Sequence, residues 1–175
     1  NPVPSLLINP GVALTLTGFD YASGGGRVDA SILNSGTLSL AHVDLGYVNA
    51  AIVNAGTLNY SDGINHGTND SNITNTIEGA ANFSRVVFIS EAPAIVNHGA
   101  ATVRNSVFVY GIGNAITATL GISNTGALTV VNSTFGAQYG IQIFNAGGTA
   151  TLYNTIMAGD SVSTTVNCAG TAPID

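Results

Sequence analysis

Three histidines, nine carboxylates, three arginines and one cysteine are the strongly reactive side chains of this 175-residue chain, which has no lysine and no tryptophan. His42, Asp62 and Arg85 stand at one shared position of a repeat described below. Stacked repeats would set them about 5 Å apart, with a carboxylate between two cations. Such a trio could serve general acid–base chemistry or begin a metal site. One His and one Asp fall short of a metal shell, however, and Arg85 beside them repels a cation. A charge ladder on an exposed turn is the expectation. Asn-His-Gly occurs at 65–67 and 97–99, and His98, at the variable position of its repeat, reads as a solvent-facing turn residue. Asp44, Asp62 and Asp70 fall in neighbouring repeats, without the clustering that calcium needs. Only Asp62 shares its position with a basic group. Gly24-Gly25-Gly26 precedes Arg27 without the strand–loop–helix and Lys of a phosphate loop. Cys168, alone, excludes an internal disulfide framework and a Cys-based zinc site. No catalytic residue, metal or cofactor is expected.

A repeat must position these residues. The phrase apolar-x-Asn-x-Gly occurs at 7–11, 32–36, 52–56, 95–99, 122–126 and 143–147. A seventh copy is degenerate at its front, yet residues 79–88 match 99–108 position for position. The anchor glycines are 11, 36, 56, 79, 99, 126 and 147, at spacings of 25, 20, 23, 20, 27 and 21. Counted from the anchor, position −4 reads Ile32, Ile52, Ile95, Ile122 and Ile143. Position +2 reads Leu38, Leu58, Ala81, Ala101 and Leu128, and +4 reads Leu40, Tyr60, Phe83, Val103 and Val130. Leu45, Phe88, Phe108 and Phe135 occupy +9, while Thr, Ser, Asn and Ala fill +1 and +3. Alternation with period two marks strands with one face inward. No stretch carries a helical apolar face.

A unit of 20 to 27 residues built only of short strands fits one turn of a parallel β-helix. The expected fold is all-β: a single-domain right-handed parallel β-helix of seven to eight coils over residues 11–175. Residues 1–10 are either an extended arm or the first-coil strand, and Val3, Leu6, Leu7 and Ile8 would let such an arm add a strand to a neighbour. Loops at 18–28, 61–72 and 110–120 should absorb the length variation. At −2, Asn34, Asn54, Asn97, Asn124 and Asn145 should stack as amide ladders; at +6, so should Asn105, Asn132 and Asn154. The Gly two residues after each −2 Asn would supply left-handed turn conformations.

Composition narrows the function. Charged residues are 7% and the net charge is −6, which argues against nucleic acid and anionic membranes as partners. No apolar run is long enough to insert into a bilayer. A nearly uncharged surface rich in Asn and Thr suits an extracellular protein, and an Asn at position 1 suggests a processed chain or an excised fragment. Asn-x-Ser/Thr triplets at Asn59, Asn69, Asn72, Asn82 and Asn132 arise readily in such a repeat. The Thr/Ser/Asn/Ala columns are too irregular for an ice-binding face.

Residues 122–135, Ile-x-Asn-x-Gly-x-Leu-Thr-Val-x-Asn-Ser-Thr-Phe, resemble repeats of bacterial secreted right-handed β-helix proteins. Autotransporter passengers, polymorphic outer-membrane-protein repeats and choice-of-anchor extracellular proteins are of this type. The stretches 152–159 and 167–170 are similar to the last coils of choice-of-anchor proteins. The resemblance covers nearly the whole chain and implies a secreted or surface-displayed protein that adheres, spaces or assembles. It offers no catalytic residues to carry over. The expected function is therefore a non-enzymatic structural or adhesive solenoid whose partner is itself, as a filament, or a surface ligand. The alternative is a carbohydrate-binding or carbohydrate-cleaving β-helix. Against it, the chain has no Asp-Asp pair, no Gly-His-Gly and no Arg-x-Lys, the elements found in galacturonan hydrolases of this architecture. Only Tyr47, Tyr110, Tyr139 and Tyr153 stand where an aromatic could meet a sugar.

Overall fold

The computed structural model describes residues 5–19, 27–28, 30–46, 51–67, 73–90, 93–110, 121–137, 141–159 and 166–170. Val3, Tyr47, Asn69, Asp70, Asn72, Tyr139, the triple glycine at 24–26 and the expected loop at 111–120 lie outside these residues, as does the side chain of Tyr110.

Alternating apolar residues form β1 (Ser5–Ile8) and β2 (Ala13–Phe19), and then β3 (Ser31–Asn34) and β4 (Thr37–Leu45). Five turns of one three-strand plan follow. They are β5 (Ile52–Asn54), β6 (Thr57–Ser61) and β7 (Ile64–Gly67); β8 (Ile73–Asn75), β9 (Ala80–Ser84) and β10 (Val87–Ser90); β11 (Ile95–Asn97), β12 (Ala100–Arg104) and β13 (Val107–Tyr110); β14 (Ile122–Asn124), β15 (Ala127–Val131) and β16 (Thr134–Ala137); and β17 (Ile141–Asn145), β18 (Thr149–Tyr153) and β19 (Ile156–Gly159). β20 (Val166–Gly170) comes last. Every pairing is parallel, and each strand lies against its counterpart one turn away. The molecule is a parallel β-solenoid with three faces. Face A stacks β1, β3, β5, β8, β11, β14, β17 and β20; face B stacks β2, β4, β6, β9, β12, β15 and β18. Face C continues from the second half of β4 through β7, β10, β13, β16 and β19. Seven to eight coils were expected. Five turns have three separate strands, and the remainder are the fused β3–β4 turn and partial turns at the two ends.

The inward columns meet in one core. Every residue named above at −4, +2, +4 and +9 is at most 4% exposed, as are Ile73 and Ala150, which extend two of those columns. The coil spacing also dictates aromatic geometry. Phe88, Phe108 and Phe135 stack nearly parallel, with centroids 4.5 and 4.3 Å apart. Phe83 meets Phe88 edge-on at 5.5 Å.

The register corrects several expectations. Ala13 pairs with Thr37 and Ala127 with Thr149, so the anchors of the outer turns are Val12 and Gly148 rather than Gly11 and Gly147. Counted from Gly148, Asn154 falls on +6. Within the expected loop at 61–72, the described residues 61–67 are not a loop: Ser61 ends β6, and β7 seats Asn65 in the core beneath Phe88. Likewise Gly18 and Phe19 belong to β2. Most anchor glycines also serve a different purpose from the one expected. Gly36, Gly56, Gly99, Gly126 and Gly148 have no left-handed φ; a methyl group there would strike the backbone carbonyl of the anchor one turn before. Close approach of the turns, not turn handedness, requires glycine.

Phe108→Ala should cost about 3–5 kcal/mol by chemical denaturation, since it opens a cavity inside a closed ring stack. Ile77→Ala, at an 82% exposed position, should change stability by less than about 0.5 kcal/mol.

Candidate functional site

The most concentrated polar array is inside the protein. Asn34, Asn54, Asn75, Asn97, Asn124 and Asn145 form a single file at 0–1% exposure where face A turns into face B. Each amide nitrogen of the first five donates to the Oδ1 of the next Asn at 2.7–2.8 Å. It also donates to a backbone carbonyl of the next turn, as Asn34 does to Thr57 at 2.9 Å and Asn124 to Thr149 at 3.0 Å. From Asn54 onward, the carbonyl of the adjacent anchor accepts as well, at 3.0–3.2 Å. Buried amide capacity is thus answered along the file, which is the condition for burying it at all.

Asn75 was not among the expected members. Its copy reads Ile73-Thr74-Asn75-Thr76-Ile77-Glu78-Gly79, with two extra residues between Asn and the anchor. They close a turn from Gly79 N–H to Thr76 carbonyl at 2.9 Å and leave Ile77 projecting. The surviving Ile-x-Asn was the available signal. At the first turn the register sets Ile8 against Asn34, so the file starts there and Asn9 lies outside it.

The +6 position forms no amide ladder. His42, Asp62, Arg85, Asn105, Asn132 and Asn154 all have φ between 47 and 57°, at the bend from face B to face C. Asn, Asp and His are the non-glycine residues best suited to that region. Left-handed backbone turns each N–H along the stack: Asp62 donates to Ser84 carbonyl, Arg85 to Arg104, Asn105 to Val131 and Asn132 to Tyr153, at 2.9–3.1 Å. Among the described residues no hydrogen bond joins the side chains of Asn105, Asn132 and Asn154. One residue further, Ser106 Oγ accepts from Val86 N–H and Ser133 Oγ from Ser106 N–H, both at 3.2 Å. The recurring Asn-Ser pairs carried that signal.

The expected charge ladder is an ion pair with a histidine nearby. Arg85 grips Asp62 with two contacts, Nε to Oδ1 at 2.5 Å and Nη2 to Oδ2 at 2.8 Å. Those hydrogen bonds, with lesser help from the charges of Arg85 and His42, hold the Asp62 carboxyl below the usual carboxylate range. His98 is exposed, its Nδ1 2.7 Å from Thr125 Oγ1. Asn59 and Asn82 are exposed on face B, Asn82 donating to Asn59 at 3.1 Å.

A second polar group lies at the start of face C. Asp44 is 4% exposed, and Val28 N–H donates to its backbone carbonyl at 2.9 Å, which sets Arg27 beside it on the preceding turn. His66 follows on the next turn. Burial lowers its pKa, Asp44 opposes that shift and Arg27 adds to it. Tyr60, beneath them, is pushed well above the ordinary phenol value by burial first and by Asp44 second, and donates to Val43 carbonyl at 2.8 Å. Repeat spacing alone assigned Asp44 no basic partner, because Arg27 comes to it from a loop-flanked position. Among the described residues no group of three His, Cys, Asp or Glu gathers to hold a metal. Cys168 is exposed overall, but its Sγ lies 3.4 Å from Met157 Sδ, and this partial burial of the thiol raises its pKa. Compared with protein-family models, with curated proteins and with solved structures, the chain matches none.

Asn97→Ala should cost about 2–4 kcal/mol, because it strands both Asn75 and Asn124 in a buried file. Asn105→Gly should be nearly neutral, while Asn105→Val should cost about 1–3 kcal/mol at its left-handed backbone. Asp62 has a lowered pKa, so its contribution is present above the unfolded carboxylate range and is lost as pH falls through the folded value. Asp62→Asn should therefore lower the urea midpoint slightly at neutral pH and not at all in strong acid.

Proposed function

We propose that the protein is a non-enzymatic structural solenoid of the extracellular or cell-surface kind, which adheres, spaces or stacks end to end. The observation that carries this reading is the buried asparagine file from Asn34 to Asn145. The polar residue at the centre of the repeat is turned wholly inward, where its amide holds turn to turn. The +6 bend and the Ser106–Ser133 pair serve the same end. The resemblance of the repeat to bacterial secreted β-helix proteins points the same way.

End-on stacking has a physical basis in the outer turns. Leu6, Leu14 and Leu16 at one end, with Leu152 and Met157 at the other, occupy or border core columns yet are only partly buried. A further turn, of the same or another copy, would continue those columns and their parallel strand edges. Ser5–Ile8 is hydrogen-bonded along β3, with Leu6 and Ile8 inward and Leu7 outward. It would meet a neighbour as the edge of face A, since acting as a free arm would break its own pairing.

A second reading, a carbohydrate-binding or carbohydrate-cleaving β-helix, is favoured by the grouping of Arg27, Asp44 and His66. Two measurements separate the readings. Electron microscopy of the purified chain should show end-joined particles or filaments. A panel of soluble polysaccharides should remain uncleaved, and cleavage that Asp44→Asn abolished would reverse the ranking.

A further inference from the structure

The bend from face B to face C holds a dipeptide with chemistry of its own. Asp62-Gly63 is the chain's one Asp-Gly pair, and Asn-Gly does not occur. Glycine is required there, because a methyl group at Gly63 would strike the Val43 carbonyl and the Tyr60 ring. A glycine after an aspartate, however, leaves its own backbone nitrogen unshielded. That nitrogen can attack the aspartate Cγ and close a five-membered succinimide, a reaction that any larger side chain at the second position hinders. Neighbouring turns hold the equivalent N–H: Val86 donates to Ser106 Oγ and Ser106 to Ser133 Oγ, both at 3.2 Å. The counterpart of Gly63 one turn on is Val86, which has no hydroxyl to offer. The carboxylate is restrained instead. Arg85 donates from Nε and Nη2 to its two oxygens at 2.5 and 2.8 Å. A bidentate guanidinium favours the ionised form and fixes where both oxygens point. Ring closure needs the carboxylic acid, from which an oxygen leaves as water, and a carboxylate is a poor electrophile.

We propose that Asp62-Gly63 is a site of spontaneous aspartate isomerisation and that Arg85 is the residue that suppresses it. In the reaction the Gly63 nitrogen bonds to Asp62 Cγ and loses its proton to solvent, while the protonated carboxyl releases one oxygen as water. Water then adds to the other ring carbonyl and breaks its bond to the nitrogen. The chain now runs through the β-carboxyl, the α-carboxylate is free, and mass and charge are unchanged. The Asp62 side chain is 26% exposed, so water reaches it. The product carries one more backbone carbon at a bend where φ is 54° and the Asp62 N–H meets the Ser84 carbonyl at 3.1 Å. That added length misaims the bond between turns. The ion pair is exposed and contributes little to stability, so its service to the fold is chemical: it preserves a bend that Gly63 makes vulnerable. The inference goes beyond the functional reading above and does not depend on it.

The test is to hold the full chain and its Arg85→Asn variant for weeks at neutral pH, and then to map residue 62 by mass-spectrometric fragmentation that distinguishes isoaspartate. Asn suits the left-handed backbone at position 85, so the variant removes the guanidinium and keeps the bend. Isoaspartate at position 62 should accumulate several-fold faster in Arg85→Asn than in the wild type, with Arg85→Lys between them. Phe108→Ala, which loosens the core and leaves the ion pair in place, should stay near the wild-type rate. Equal rates in the wild type and Arg85→Asn, or an equal acceleration by Phe108→Ala, overturns the proposal. Should Arg85→Asn lose its β-rich circular dichroism spectrum, the wild type in concentrated salt replaces it, because salt screens an exposed pair. The rate should then rise above that in dilute buffer, and no change with salt overturns the proposal.

Discussion

Each turn of a parallel solenoid repeats about 4.8 Å from the last, the distance fixed by backbone hydrogen bonds between strands. Every side chain therefore meets the residue at its own position one turn away, and only types that tolerate their own company can fill a column. Asparagine does so because its amide carries a donor and an acceptor on opposite sides. The result is a directional file in which Nδ2 of one residue faces Oδ1 of the next at 2.7–2.8 Å. A carboxylate column would repel itself in the same place, and a leucine column would leave the surrounding carbonyls unanswered. Phenylalanine stacks at 4.3–4.5 Å on the same grounds, face to face although isolated rings prefer an offset or edge arrangement.

The same spacing explains the glycines and the left-handed bend together. Where face A turns into face B, successive anchors approach so closely that a Cβ has no room. Where face B turns into face C, Gly63 is crowded by the Val43 carbonyl, but at the +6 residue just before it the constraint is that the N–H be aimed along the stack. That requires positive φ, met by Asn, Asp, His and even Arg. Two bends of one coil thus select different residues for different reasons: steric clearance at one and backbone direction at the other.

Much of this was legible in the sequence, because stacking turns structural contact into recurrence. Inward columns, the asparagine file and the stacked position of His42, Asp62 and Arg85 follow from spacing alone. Position does not reveal conformation, however. A column containing three Asn looks like an amide ladder until φ shows that its backbone is what matters. Asn75 escaped because two inserted residues break the phrase while leaving the strand register intact. Asn65-His66-Gly67 resembled a turn because its residues are polar, whereas pairing with Phe88 and Ile89 makes it a strand. Asp44 gained its neighbours through long-range register that no local pattern encodes.

Recurrence also limits where function can reside. A residue in an inward or bend column is constrained by both neighbours, so its chemistry is already committed to the stack. Outward columns are freer, since a side chain there meets its counterparts only along a solvated surface. Face B uses that freedom for small polar groups, and face C for Val and Ile. The inward residues of both faces are chiefly apolar and buried, with Asn65 the polar member on face C. The contrast is one of exteriors alone, where a change alters what the rod meets without altering how it folds.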